Sequence, residues 1–214
     1  MLASHFRAAS RMPWALTRIL STLASNPNIN VFTHPQQPQA YLLSLLDSDP
    51  PSAALAIGTT TSVPPTPSSF RENPRFLATL NRVLAQHAAD DPDLKSQAQA
   101  FASPAGSNFM HSARRKLRSA GTGAGGASAE GGAGGAGVGG WVHLSDTRNP
   151  PDFGRIAWPE DILGSLEVDG RGIVLGNFQA SGTYRIITNE GILGLSPFLR
   201  EKLVACLREE EKAL

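Results

Sequence analysis

The stretch GTGAGGASAEGGAGGAGVGG, Gly121 to Gly140, decides how the rest of the chain is read. It holds 11 of the 21 glycines and a single charge, Glu130. Such a segment cannot bury enough apolar surface to offset the entropy of ordering it, so residues 119–140 are expected to form a disordered Gly/Ala-rich linker or long loop. The parts on either side, residues 26–118 and 141–214, each hold fewer than 95 residues, and each alone would have a modest core. The expected fold is therefore a single α+β domain assembled from both parts: a small mixed or antiparallel sheet with about three to four helices, interrupted by the Gly/Ala loop. No internal repeat of solenoid or propeller period is visible.

Composition narrows the class. The 214 residues are 41% hydrophobic and 17% charged, with a net charge of +1, which excludes a collagen or a uniformly charged chain. One cysteine, Cys206, permits no intrachain disulfide and no multi-cysteine zinc site, which suits a reducing compartment. No run approaches the roughly 18 apolar residues of a membrane span, so none is expected. Residues 1–118 carry +5 and residues 141–214 carry −3, and the opposite signs favour packing of the two parts.

No acidic residue precedes Asp47, while Arg7, Arg11 and Arg18 stand among serines. On a helix the three arginines share one face, and Leu16, Ile19, Leu20 and Leu23 share the opposite one. Residues 1–25 thus read as an amphipathic mitochondrial targeting segment, and the location expected is mitochondrial, in the matrix, with a cytoplasmic location as the alternative. The competing interpretation is an ordinary helix on the body of the protein, beginning at Pro13. Met12 is a second in-frame start that would delete two of the arginines.

Short apolar or β-branched runs bounded by Pro, Asn, Asp or Gly predict strands at 29–33, 41–46 and 55–60. Nine of the 16 prolines lie between Pro27 and Pro74, so this region should be rich in loops. Asn73 as cap and Pro74 in the first turn predict a helix carrying Phe76, Leu80, Val83, Leu84 and His87 to the stop at Asp90-Asp91-Pro92. Asp91-Pro92 repeats the start signal for a helix to about Ala102, and Ser107 starts a third that ends in Arg114, Arg115, Lys116 and Arg118. Beyond the linker, strands are predicted at 141–145, 162–169, 173–175 and 183–188, the last being richest in β-branched residues. Asp169-Gly170 and Gly176-Asn177 read as turns. A final helix after Ser196-Pro197 sets Leu199, Leu203, Cys206 and Leu207 on one stripe, which makes Cys206 a small core residue.

Chemical motifs are sparse. Two G-x-G-x-x-G matches, at Gly121, Gly123, Gly126 and at Gly135, Gly137, Gly140, lack the strand-before and helix-after context that lets helix amides cradle a pyrophosphate. The histidines, His5, His34, His87, His111 and His143, contain no pair at ligand spacing on one element, and a metal site would require distant residues such as His34 and His143 to converge. No metal and no cofactor are therefore expected. The basic run at 114–118 has no interleaved aromatic for base stacking and reads as a solvated helix end, which disfavours nucleic acid as a partner.

The densest cluster of functional groups is Asp146 to Asp169. Within it, Arg148, Arg155 and Trp158 are candidate binding residues, because aromatic and arginine anchors dominate protein interfaces. Asp152, Glu160 and Asp161 are candidate acid/base groups, provided one is buried and its pKa raised. Adjacent residues usually point apart, so Glu160-Asp161 after Pro159 equally describes a turn.

The blocks WVHLSDTRNPPDFGRIAWPEDILGSLEVD (Trp141–Asp169) and SGTYRIITNEGILGLSPFLREKL (Ser181–Leu203) resemble uncharacterised predicted proteins of filamentous fungi, over about a quarter of the chain. The resemblance implies a eukaryotic organellar setting and carries no activity, ligand or catalytic residue. The expected function is that of an accessory or assembly component acting through contacts with a protein partner. The alternative is a hydrolase-type or other acid/base enzyme using the carboxylates of 146–169.

Overall fold

The computed structural model describes residues 19–102, 139–152 and 155–214. Residues 1–18 of the expected targeting segment, the helix expected from Ser107, the basic run, both G-x-G-x-x-G matches up to Val138 and most of the Gly/Ala stretch lie outside the described residues.

The first part of the chain builds an antiparallel five-stranded meander. Its strands are β1 (Ile19–Leu23), β2 (Asn26–His34), β3 (Gln37–Ser44), β4 (Gly58–Thr60) and β5 (Phe70–Glu72), lying in sequence order. β2 and β3 meet across a two-residue turn, Pro35-Gln36, with Val31 opposite Leu43 and Phe32 opposite Leu42. Alternation sends Ile29, Val31 and Leu43 into the main core, while Phe32 and Leu42 join Ala56 in a second small cluster. β5 runs directly into the cap of α1 (Pro74–His87), where Asn73 accepts from the Arg75 amide and donates its own side-chain amide to the carbonyl of Ala56 at 2.7 Å. A short 3-10 turn, Ala88–Asp90, leads to α2 (Pro92–Ala102).

The second part forms a three-stranded antiparallel sheet, β6 (Gly140–Ser145), β7 (Ile162–Val168) and β8 (Val174–Ala180), in the order β6-β7-β8. A two-stranded hairpin, β9 (Ile187–Thr188) and β10 (Gly191–Ile192), precedes α3 (Pro197–Lys212). Ser196 caps α3 by accepting from the Leu199 amide, with Pro197 in the first turn.

The architecture is α+β, with ten strands in three antiparallel sheets and three α-helices among the described residues. One apolar cluster takes in Val83 and Leu84 of α1, Leu199, Leu203 and Leu207 of α3, Leu166 of β7, Ile186, and Ile29 and Val31 of β2, so both parts contribute to a continuous core. Helices α1 and α3 are also joined through Glu210, which accepts from Thr79 and pairs with Arg75 and Arg82.

Several sequence expectations are corrected. Ile19 to Leu23, expected on an amphipathic helix within a targeting segment of residues 1–25, form β1, and Leu23 is buried in the core. Pairing with the longer β2 supplies backbone partners that a helix would find within itself. Gly140, placed in the linker, pairs with Val168 as the first residue of β6. The strand expected at 55–60 is reduced to 58–60, because Leu55 and Ala56 turn back on the Ser52 carbonyl. Gly176-Asn177 is a bulge within β8 and not a turn: Val168 faces Val174 and Leu166 faces Phe178, so β8 carries extra residues there, with Gly176 at φ +84°. Of the strand expected at 183–188, only Ile187 and Thr188 pair, with β10. Cys206 is half-buried at the edge of the α3 stripe, where its sulfur accepts from Arg82.

Candidate functional site

The segment between β6 and β7, residues 146–161, is held by a buried ionic network. Asp146 sits at the end of β6, fully enclosed. Its Oδ1 accepts from the amides of Arg148 and Gly194, both at 2.8 Å, and its Oδ2 accepts from the Tyr184 hydroxyl at 2.9 Å. The Arg148 side chain is 3% exposed and Asp161 1%. Arg148 donates from Nε to Asp161 Oδ1 at 2.8 Å, from Nη1 to the Ile186 carbonyl at 2.8 Å, and from Nη2 to the carbonyls of Glu160 and Arg185 at 3.0 and 2.8 Å. Its guanidinium also lies 5.5 Å from the centre of the Tyr184 ring. Asn149 donates to the other oxygen of Asp161 at 3.1 Å.

This network explains why 183–186 is not a strand. The Arg185 carbonyl is taken by a guanidinium, the Ile186 carbonyl is shared between that guanidinium and the Leu193 amide, the Arg185 amide donates to the Glu160 carbonyl, and the Ile186 amide donates to Glu72. Backbone groups that a ladder would pair are satisfied by side chains and by a turn. Among the described residues no buried side-chain nitrogen or oxygen lacks a hydrogen-bond partner, the condition under which buried charge is tolerated. Burial raises the Asp146 carboxyl against the opposing pull of Arg148, and burial with the neighbouring Asp146 charge pushes the Tyr184 hydroxyl well above its ordinary 10.0.

The candidate residues therefore divide. Arg148, expected at a binding surface, is enclosed, with all its donor nitrogens engaged; it positions the loop. Asp161 is locked to Arg148, whereas Glu160, its neighbour in the 3-10 turn Pro159–Asp161, is exposed. Asp152 has an 83% exposed side chain and faces Arg155, itself 77% exposed, at 3.8 Å. A catalytic pair of carboxylates needs two groups in one sheltered place, and the three candidates occupy a buried network and two solvated positions. Of the three candidate binding residues, Trp158 and Arg155 do stand at the surface. Trp158 is 70% exposed, and Ile156 beside it is also exposed.

These residues rim an open groove of about 840 Å³. Pro150, Pro151, Ile156 and Trp158 supply apolar surface, and His143, Ser165, Gln179 and Ser181 supply polar groups. His143 Nδ1 and Ser165 Oγ share a hydrogen bond of 2.8 Å. Burial lowers the His143 pKa from its ordinary 6.5, which favours the neutral ring. His34, the other histidine considered for a metal site, accepts from the Gln36 amide on the β2–β3 turn and does not join His143.

Tyr184, Gly194, Ser165 and Gln179 were not singled out in the sequence. Tyr184 and Gly194 lie 38 and 48 residues from Asp146, beyond any local spacing rule. Ser165 was legible in principle, since pairing the predicted strands 141–145 and 162–169 as neighbours sets His143 opposite Ser165, whereas Gln179 lies beyond the strand expected at 173–175. No family model, no curated protein and no solved structure matches the chain.

Proposed function

We propose that this chain is an accessory or assembly component that holds an extended segment of a protein partner in the groove beneath Trp158, and that it does so in mitochondria. The observation that carries the reading is the exposed Trp158, with Ile156 and Arg155, on a loop anchored by the buried Asp146–Arg148–Asp161 network. A large aromatic left in water costs free energy unless something covers it, and aromatic and arginine side chains on a rigid frame are the usual anchors of an interface. The polar floor offers His143, Ser165 and Gln179 to the backbone of an extended peptide, while Pro150, Pro151 and Ile156 offer apolar surface to its side chains. The mitochondrial setting rests on Arg7, Arg11 and Arg18 in a stretch free of acidic residues.

The test is affinity purification of the full chain from isolated mitochondria, in parallel with Trp158→Ala and Arg155→Glu. A protein retained by the wild type and lost from both variants, which also quenches or shifts Trp158 fluorescence when added back, supports the reading. Equal recovery with all three chains rejects the surface. Exclusion of the chain from mitochondria rejects the setting.

A further inference from the structure

We propose that Ser165 and His143 form a nucleophile and general-base pair that accepts an acyl group from an ester or thioester in the groove, with the Gln179 amide as the donor to the developing oxyanion. The placement comes from strand register. His143 on β6 stands directly opposite Ser165 on β7, and Ser165 stands directly opposite Gln179 on β8. Directly opposed residues project from the same face of a sheet, at about 4.8 Å from strand to strand, and all three side chains line the groove. The opposite face of the same strands carries Val142, Leu144, Leu166 and Val168 into the core, which fixes the register and with it the order base, nucleophile, amide.

A serine hydroxyl attacks an acyl carbon only when a neighbouring base takes its proton. Here the base is within hydrogen-bond reach at 2.8 Å. Its half-buried position keeps the ring neutral near pH 7, the form that can accept a proton. In the acylation step the bond from Ser165 Oγ to the carbonyl carbon forms and the hydroxyl proton passes to His143 Nδ1. The tetrahedral oxygen takes a hydrogen bond from the Gln179 amide. Collapse breaks the bond from the acyl carbon to the leaving oxygen or sulfur, which receives the proton from His143. Water then repeats the sequence, releasing the acid and regenerating Ser165. The apolar wall formed by Pro150, Pro151, Ile156 and Trp158 fits an aliphatic or aromatic acyl chain. Among the described residues no carboxylate hydrogen-bonds the remaining nitrogen of His143, so the pair works without the group that orients the base in a full triad, and slow turnover is expected. Covalent capture is accordingly the primary readout.

This inference shares the groove with the proposed partner contact but does not depend on the partner, so it is tested on the full chain alone. A fluorophosphonate probe should bond Ser165 Oγ with loss of fluoride, located by intact mass and peptide mapping. Ser165→Ala should abolish the adduct, and His143→Gln should slow it at least tenfold. Gln179→Ala should keep Ser165 as the labelled residue but slow both labelling and hydrolysis of p-nitrophenyl butyrate at least fivefold. Ser165→Cys provides a second measure if Ser165→Ala folds poorly: iodoacetamide should alkylate position 165 at least tenfold faster with His143 present than with His143→Gln. No adduct, an adduct elsewhere, or equal rates with and without His143 would overturn the proposal and leave the hydrogen bond as a cross-strand pair that serves stability alone.

Discussion

The hydroxyl of Ser196 donates to the carboxylate of Asp91 at 2.8 Å, so the N-cap of α3 is tied to the N-cap of α2 across 105 residues of sequence. Both residues are buried. Each has a second task at its own helix: Ser196 Oγ accepts from the Leu199 amide, and Asp91 Oδ1 accepts from the Asp93 amide. Ser196→Ala removes a cap and also strips a donor from an enclosed carboxylate. Chemical denaturation should show a loss of about 1–3 kcal/mol, more than an isolated cap would give.

Arg148 should be a stability residue, with little direct role in binding. Arg148→Met leaves Asp146 and Asp161 enclosed without their cation, and urea unfolding should register a cost of about 3–5 kcal/mol. Adding Asp161→Asn to that variant should recover part of the loss, since it removes one of the two uncompensated charges. A variant that unfolds like the wild type but loses partner capture would reassign Arg148 to the interface.

The Asp146 carboxyl is raised by burial, so the folded chain holds its proton more tightly than the unfolded chain does. The stability linked to that proton is present below the ordinary carboxylate value of 3.8 and is lost as pH rises through the raised value. Asp146→Asn cancels this dependence while keeping an oxygen for the amides of Arg148 and Gly194. Its stability relative to the wild type should therefore improve as pH rises from about 3.5 to 7, measured by denaturant unfolding at each pH.

Tyr184 should titrate late. Its hydroxyl is pushed well above 10.0, and the corresponding stability is present below that value and disappears as pH rises through the raised one. Ultraviolet titration should show a tyrosinate step that coincides with alkaline unfolding, and Tyr184→Phe should remove that step.

Ile19 to Leu23 belong to the sheet, so in the mitochondrial setting we propose the import signal would lie in what precedes them. Residues 1–18 fused to a reporter should suffice to direct it to mitochondria, and replacing Arg7, Arg11 and Arg18 by Glu should abolish import. Deleting residues 19–23 from the full chain should instead lower its thermal midpoint, because Leu23 is lost from the core.

The sequence alone was enough for elements whose signals are local. Asn73-Pro74 and Ser196-Pro197 announce α1 and α3, because a cap and a first-turn proline act on neighbouring backbone groups. The alternation in 141–145 and 162–169 announces β6 and β7 because side-chain period follows strand geometry directly. β1 was misread because the apolar spacing of Leu16, Ile19, Leu20 and Leu23 suits a helix, and only the presence of β2 alongside makes the extended form better satisfied. Thr183 to Ile186 depart from the strand for the converse reason: their β-branched content favours a strand, but the guanidinium of Arg148, from the other side of a turn, binds the carbonyls of Arg185 and Ile186. The candidate surface was half legible. Trp158 and Arg155 stand out in any reading of 146–169, whereas the separation of Asp161 from Glu160 and the meeting of His143 with Ser165 depend on strand register and loop path. Residue type and short spacing determined which groups were available; burial and pairing between segments far apart in the chain decided which were enclosed, which were paired and which were left facing water.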